Sequence, residues 1–185
     1  MPILLAIAII LVLIIIWLIT IVGMVLVMYG ALTTKVPFVP VSSFVAEALV
    51  KEVPLRRGDV FYDLGSGDGR VVIALARANP YASAIGVDKA PLPYLLSQFH
   101  AWRSGLRNVK FRFKNFSKIN LTSATHIYMY LLPELVQKLL PRFEKELRPG
   151  TEVILCDFPF EAKVPYRTAK IAKEAKSYTL YFYKF

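Results

Sequence analysis

The sequence predicts an α/β fold: a doubly wound sheet with an antiparallel C-terminal hairpin, preceded by one transmembrane helix. Three observations carry this reading. Residues 1–34 contain no Asp, Glu, Lys or Arg; strand-like and helix-like segments alternate from Asp59 onward; and a glycine-rich turn, Gly65-Ser66-Gly67-Asp68-Gly69, joins the first strand to its helix. The 185 residues leave room for one globular domain beside the helix. The expected division is 1–30 transmembrane helix, 31–53 linker and pre-domain helix, and 54–185 α/β domain.

From Pro2 to Gly30 the chain is almost wholly aliphatic, with Thr20 the polar interruption. A bilayer-spanning helix needs about 20 apolar residues. At roughly −0.4 kcal/mol for each central Leu, Ile or Val, insertion is favoured by on the order of −6 kcal/mol. A cleaved signal peptide would need a basic leader and a shorter apolar core, and neither is present. All 23 basic and 13 acidic side chains, and so the net charge of +10, lie after residue 34. Lys35, Lys51, Arg56 and Arg57 follow the helix and nothing basic precedes it, so the positive-inside bias puts the domain on the cytoplasmic side. In a eukaryotic mitochondrion this is the matrix side.

Val36-Pro37-Phe38-Val39-Pro40-Val41 reads as a stiff extended linker, because each proline biases its predecessor away from helix. Ser42 and Ser43 are placed to cap a short helix that runs through Glu52. Asp59–Leu64 reads as a strand, Arg70–Ala78 as a helix and Ser83–Asp88 as a second strand. Leu92, Leu95, Leu96, Phe99 and Trp102 form a helical stripe that stops at Gly105. Val109, Phe111 and Phe113 alternate with Lys110, Arg112 and Lys114, as in a half-exposed strand whose charges guard a sheet edge. A fourth strand is expected near His126–Leu131, then one or two short helices broken or kinked at Pro141. Thr151–Asp157 reads as a fifth strand, and the tail as two more strands turning near Lys176-Ser177. The lone cysteine, Cys156, lies in an apolar run and reads as a buried hydrophobe. His100 and His126 are far apart and flanked by apolar residues, so no metal site is expected.

The chemistry resides in Val60-Phe61-Tyr62-Asp63-Leu64-Gly65-Ser66-Gly67-Asp68-Gly69-Arg70. Alternate glycines let the backbone turn tightly and let a ligand approach the main chain. A dinucleotide fingerprint would put its third glycine at 70, where Arg70 stands, and the Lys-Ser/Thr of a phosphate loop is missing. Asp63 at the strand end would repel a pyrophosphate; it suits a ligand bearing an ammonium and a sulfonium. Gly86-Val87-Asp88 ends the next strand with a carboxylate placed for two ribose hydroxyls.

Together these residues resemble the class I, Rossmann-like methyltransferases that bind S-adenosylmethionine. The resemblance implies that Asp63, Gly65, Gly67 and Asp68 surround the methionine part and Asp88 the ribose, with Ser66 and Gly69 also binding the cofactor. Asn115 stands where such enzymes often carry an acid that meets the adenine amino group. The Pro-Phe-Val-Pro linker, Tyr130-Leu131-Leu132-Pro133 and Cys156-Asp157-Phe158-Pro159-Phe160 look, more narrowly, like one family. It comprises the lysine methyltransferases of the adenine nucleotide translocase and the ATP synthase c subunit, with an archaeal broad-specificity protein-lysine methyltransferase. Where that family tends to have tyrosine in the linker, this chain has Phe38.

Methyl transfer to lysine needs a neutral amine, which costs roughly 4.6 kcal/mol at pH 7 for a group of pKa about 10.4. A poorly hydrated aromatic slot beside a sulfonium offsets part of this. Phe38, Tyr130, Phe158 and Phe160 are the expected walls, Phe38 as part of a lid over the methionine end. Asp157 is placed to orient the amine or take its proton. Expected partners are a membrane-associated protein substrate and the bilayer. A small-molecule, lipid or RNA methyltransferase and a non-catalytic S-adenosylmethionine-binding membrane protein remain alternatives; the basic charge suggests RNA, but no added binding domain is expected.

Overall fold

Strand order, more than any single element, places the site. The computed structural model describes residues 2–34, 41–174 and 176–185. They divide into two compact units, the N-terminal helix and the remainder.

The first unit is α1, Pro2–Thr34, 33 residues long and so about 50 Å by helical rise. Its Pro2–Tyr29 stretch is long and apolar enough to cross a membrane, and none of it is buried. The Thr20 hydroxyl donates to the Trp17 carbonyl at 2.7 Å, so the polar interruption is satisfied inside the helix.

The second unit opens with α2 (Ser43–Glu52), then alternates β1 (Val60–Leu64), α3 (Arg70–Ala78), β2 (Ser83–Asp88), α4 (Pro91–Ser104), β3 (Val109–Phe113), β4 (His126–Met129), α5 (Pro133–Glu146) and β5 (Glu152–Cys156). The hairpin β6 (Arg167–Lys173) and β7 (Lys176–Lys184) closes the chain. The sheet order is β3-β2-β1-β4-β5-β7-β6. β1 to β5 are parallel, and β7 inserts antiparallel between β5 and β6. The order reverses between β1 and β4, which opens the crevice where ligands bind in such sheets, at the carboxyl ends of the strands.

Alternating strand residues feed two cores. Tyr62, Leu64, Ile127, Met129, Val153 and Leu155 pack with Val136, Leu139, Leu140 and Phe143 of α5. On the other face Phe61, Tyr128, Ile154, Leu180 and Phe182 pack with Val45 and Leu49 of α2 and Val71, Val72 and Leu75 of α3. The pre-domain helix is fastened at both ends. Arg70 donates to the Val41 carbonyl at 2.8 Å, just before α2. Arg167 bonds the Glu52 carboxylate at 2.5 Å and its carbonyl at 3.0 Å, at the far end of the helix.

Several details differ from the sequence reading. α5 runs unbroken through Pro141: burial of Val136, Leu139, Leu140 and Phe143 outweighs the roughly 3 kcal/mol penalty of an interior proline. Ser42 is the N-cap of α2, but its side chain makes no capping bond. The hairpin turns between Lys173 and Lys176, earlier than expected. The α4 stripe is exposed: Pro93 and Ser97 are its buried residues, while Leu95, Leu96, Phe99 and Trp102 face outward. α4 lies so close over Phe111 and Gly69 that a Cβ added at Gly69 would meet the Phe111 ring and, at 3.1 Å, the Ser97 Cβ. Its small residues therefore point inward. β3 is an edge strand, where Lys110 and Arg112 are exposed.

Candidate active site

The glycine turn is built from β1 outward. Gly65, Gly67 and Gly69 all have positive φ (87°, 55° and 80°), a region that side chains rarely adopt. The Gly65 and Ser66 N–H groups both donate to the Val87 carbonyl, at 2.8 and 3.1 Å, which ties the turn to the end of β2. Space is as tight as conformation: a Cβ on Gly65 would stand 2.7 Å from Leu131 Cδ2, and one on Gly86 2.7 Å from Ser66 Oγ. Leu131 follows β4, so the turn and the segment carrying Tyr130 are packed together.

Asp88 is preset by two main-chain donors. The Gly67 N–H reaches its Oδ2 and the Ala90 N–H its Oδ1, each at 2.8 Å. The carboxylate is thus fixed at the turn with further lone pairs to offer. Asp63 is buried (3% exposed) and has no hydrogen-bond partner among the described residues. Burial first, then the charges of Asp88 and Asp68, push its carboxyl well above the ordinary 3.8. Ser66 Oγ is a second buried polar atom without a hydrogen-bond partner among the described residues. Tyr128, whose hydroxyl meets the Cys156 thiol, pairs in register with Asp63 across β1 and β4. A buried carboxylate facing two others, beside an unpaired hydroxyl, asks for a cationic, hydrogen-bonding ligand.

Asp68 and Asn115 already have partners within the chain. The Asp68 carboxylate is engaged by Arg70, with Nε at 3.0 and 3.1 Å and Nη2 at 2.5 Å. Burial works to raise this carboxyl, but the guanidinium outweighs it and holds it below the ordinary value. His100 Nδ1 lies 3.0 Å from the Asp68 carbonyl. Asp68 therefore braces the turn and the Val41 segment from within. Asn115 is exposed and caps a 3-10 turn at Phe116–Lys118, its Oδ1 accepting from the Ser117 N–H at 3.0 Å.

Beside the turn stands an aromatic wall drawn from four parts of the chain. Tyr130 and Phe158 lie nearly parallel, centroids 6.2 Å apart and planes at 10°. Tyr178 of β7 meets Tyr130 edge-on at 6.1 Å, and Phe44 of α2 meets Tyr178 at 5.5 Å. All four are half-buried. Burial first, then the Asp157 charge, raises the Tyr130 hydroxyl, so it stays protonated at neutral pH. Asp157 has φ 62°, a sparsely occupied region for a non-glycine residue. It is held there by exchange with Thr179: its N–H donates to the Thr179 carbonyl and its Oδ1 accepts from the Thr179 N–H, both at 2.8 Å. Burial, then Asp157, pushes the Cys156 thiol up to about 12, so it is no nucleophile.

Phe160 does not join this wall. It is buried among Phe143, Tyr183 and Phe185 in the α5-side core, against which Phe158 also packs, and its N–H donates to the Tyr183 hydroxyl. The residue two after Phe158 turns inward where the loop re-enters the fold. Phe38 lies outside the described residues. Phe44 and Tyr178 escape the sequence reading because their approach depends on how α2 and β7 seat. Among the described residues no group of His, Cys, Asp and Glu could hold a metal ion.

Comparison with known proteins agrees with this geometry. A family model described as the ANTKMT methyltransferase domain matches residues 63–167. The lysine N-methyltransferase of the ATP synthase c subunit from Rattus norvegicus is 36% identical over 133 residues, 71% of this chain and 60% of that protein. The protein-lysine N-methyltransferase of Saccharolobus islandicus is 30% identical over 149 residues, 80% of this chain and 92% of the relative. An RNA methyltransferase from Salinibacter ruber, solved with S-adenosyl-L-homocysteine, superposes with a TM-score of 0.71 at 33% identity. That match covers 79% of this chain and 93% of the neighbour. The chain spans between half and two thirds of the length of the mammalian ATP synthase relatives.

Proposed function

Given that the chain belongs to the ANTKMT methyltransferase family, we propose that it methylates lysine side chains of membrane or membrane-proximal proteins, using S-adenosylmethionine. The observation that carries this reading is the junction of two unlike sites through one contact, Leu131 on Gly65. On one side lies a buried, uncompensated carboxylate with preset ribose acceptors. On the other lies an aromatic wall with no nucleophile of its own.

S-adenosylmethionine, when bound, supplies an electrophilic methyl group on a sulfonium. The chain's residues do the rest. Asp63 and the Ser66 hydroxyl receive the ammonium and carboxylate end, and Asp88 the ribose hydroxyls. Tyr130, Phe158 and Tyr178 line the approach of the lysine, keep water from its nitrogen and so favour the neutral amine. Their ring faces also hold the cationic substrate and product. Asp157, with one oxygen committed to Thr179, offers the other to orient the amine. The lid expected of the Val36–Val41 segment, with Phe38 as one wall of the lysine slot, belongs to this proposal; Val41 itself accepts from Arg70 at the turn.

α1 anchors the chain as a single membrane pass with the domain on the cytoplasmic or matrix side, where lysines at a membrane surface come within its reach. RNA methylation is the second reading, favoured by the net charge of +10 and by the name of the Salinibacter ruber neighbour. One experiment separates the two: purified protein is incubated with radiolabelled cofactor and a membrane extract. Label in protein, recovered as methyl-lysine after hydrolysis, is expected; label in RNA or lipid alone overturns the proposal.

A further inference from the structure

The apolar stripe of α4 serves neither the core nor the active site. Trp102 is 78% exposed, Leu95 and Phe99 51% each, Leu96 39%, and neighbouring Phe113 50%. Trp102 and Phe99 adjoin each other at 6.0 Å, and Phe113 meets Tyr94 of the same helix at 5.2 Å. Leu95, Phe99 and Trp102 follow helical spacing, so they form one continuous strip, where a lone exposed apolar residue would need no explanation.

Charge says what covers it. Between Asp88 and Glu134 the chain has no acidic residue, while Lys89, Arg103, Arg107, Lys110, Arg112, Lys114 and Lys118 are all basic. This stretch contains α4 and the edge strand β3, which together form one lateral end of the sheet. Tryptophan, phenylalanine and leucine exposed on a helix face, within a stretch of chain that carries cations and no anion, match the chemistry of a lipid interface. An acidic protein partner would be drawn by the same cations, but the tether favours lipid. Eight residues, 35–42, separate α1 from α2, a span of at most about 28 Å.

We propose that the outer face of α4, with the basic β3 edge, docks on an anionic bilayer surface. This rests on α1 being a membrane anchor. Docking fixes which face of the domain meets the bilayer. α4 begins three residues after Asp88, so its N-terminal end adjoins the cofactor site, and docking holds the mouth of the crevice near the headgroups.

The chain has two tryptophans, Trp17 and Trp102, so full-length protein carrying Trp17→Phe reports on α4 alone. It is reconstituted into vesicles of phosphatidylcholine with or without phosphatidylserine, containing acyl chains brominated near the headgroup. Expected in the phosphatidylserine vesicles are a blue shift of Trp102 emission and loss of most of its intensity, relieved by high salt and by Leu95→Ser with Phe99→Ser. Both substituted residues are exposed, and unchanged cofactor affinity in that variant shows the domain intact. Unquenched Trp102 in vesicles that carry the protein on flotation overturns docking and leaves the anchor standing. A blue shift without bromine quenching overturns it as well, because protein then covers the stripe. Protein that fails to float with any vesicle removes the anchor, and this inference with it.

Discussion

The two halves of the proposed active site are made in opposite ways. The cofactor half is nearly continuous in sequence: Asp63 to Arg70 supplies the turn and Asp88 follows one helix and one strand later. Its parts are fixed by main-chain bonds, Gly67 and Ala90 to Asp88 and Gly65 and Ser66 to Val87. The proposed acceptor half gathers Phe44, Tyr130, Phe158 and Tyr178 from α2, the β4 end, the β5 end and β7, and these side chains meet one another through ring contacts. The difference teaches where function can change. A half fixed by backbone can serve one ligand only, whereas a wall of side chains can be re-cut for another substrate without disturbing the cofactor.

The largest effect that would break this contrast falls on the cofactor half. Asp88→Ala strands two backbone donors, and Asp63→Ala removes the counter-charge of the ammonium. Each should weaken cofactor affinity by about 1–3 kcal/mol, roughly five- to 150-fold, with the fold intact by circular dichroism. Calorimetry giving wild-type affinity in both variants would dissolve the distinction.

Tyr130→Ala should do the reverse. It removes two ring contacts worth about 0.5–1.5 kcal/mol each, and turnover should fall about tenfold while cofactor affinity holds. Tyr130→Phe should keep most of the activity, because the raised hydroxyl is no base; a Phe variant as poor as Ala would show that the hydroxyl matters. Phe38→Ala should likewise cost turnover more than affinity, and Phe38→Tyr should be tolerated. Equal losses in affinity and turnover for Phe38→Ala would take the residue out of the lid. Phe44→Ala loses a single edge-on contact, and steady-state kinetics should show only a few-fold drop.

How much could be read beforehand follows the same division. Asp63, the three glycines and Asp88 stand on one strand-turn-helix-strand unit, so local spacing places them. Tyr130 and Phe158 were reachable because they follow strand ends at the mouth of a parallel sheet. Phe44 and Tyr178 were not, since they depend on the antiparallel register that sets Cys156 opposite Leu180 and on the Arg167–Glu52 pair that seats α2. Phe160 shows the limit from the other side: composition put it in the wall, and one turn of the loop put it in the core. The α4 stripe misleads for a related reason. Period 3.6 reports a helix with two unlike faces, but it does not say which one the sheet receives.

The smallest effect sharpens the electrostatics of Asp63. Its folded carboxyl is raised above 3.8, so the free protein holds this proton more tightly than the unfolded chain does. Ionisation therefore costs stability as pH climbs from 3.8 through the raised value, and the cost is complete above it. A bound ammonium favours the ionised form, so cofactor binding should release protons and tighten as pH rises through that window. Calorimetry in buffers of different ionisation enthalpy measures the release, which Asp63→Asn should abolish; an identical release in the Asn variant would assign it elsewhere.

The most direct measurement of the two-part site is a crystal structure of the protein with S-adenosylhomocysteine and a lysine-containing peptide. The account predicts the ligand's ammonium within hydrogen-bonding distance of Asp63, its ribose hydroxyls on Asp88, and the lysine side chain against Tyr130, Phe158 and Tyr178. A lysine that reaches the sulfur without touching those rings, or a ligand whose ammonium is turned away from Asp63, would contradict it.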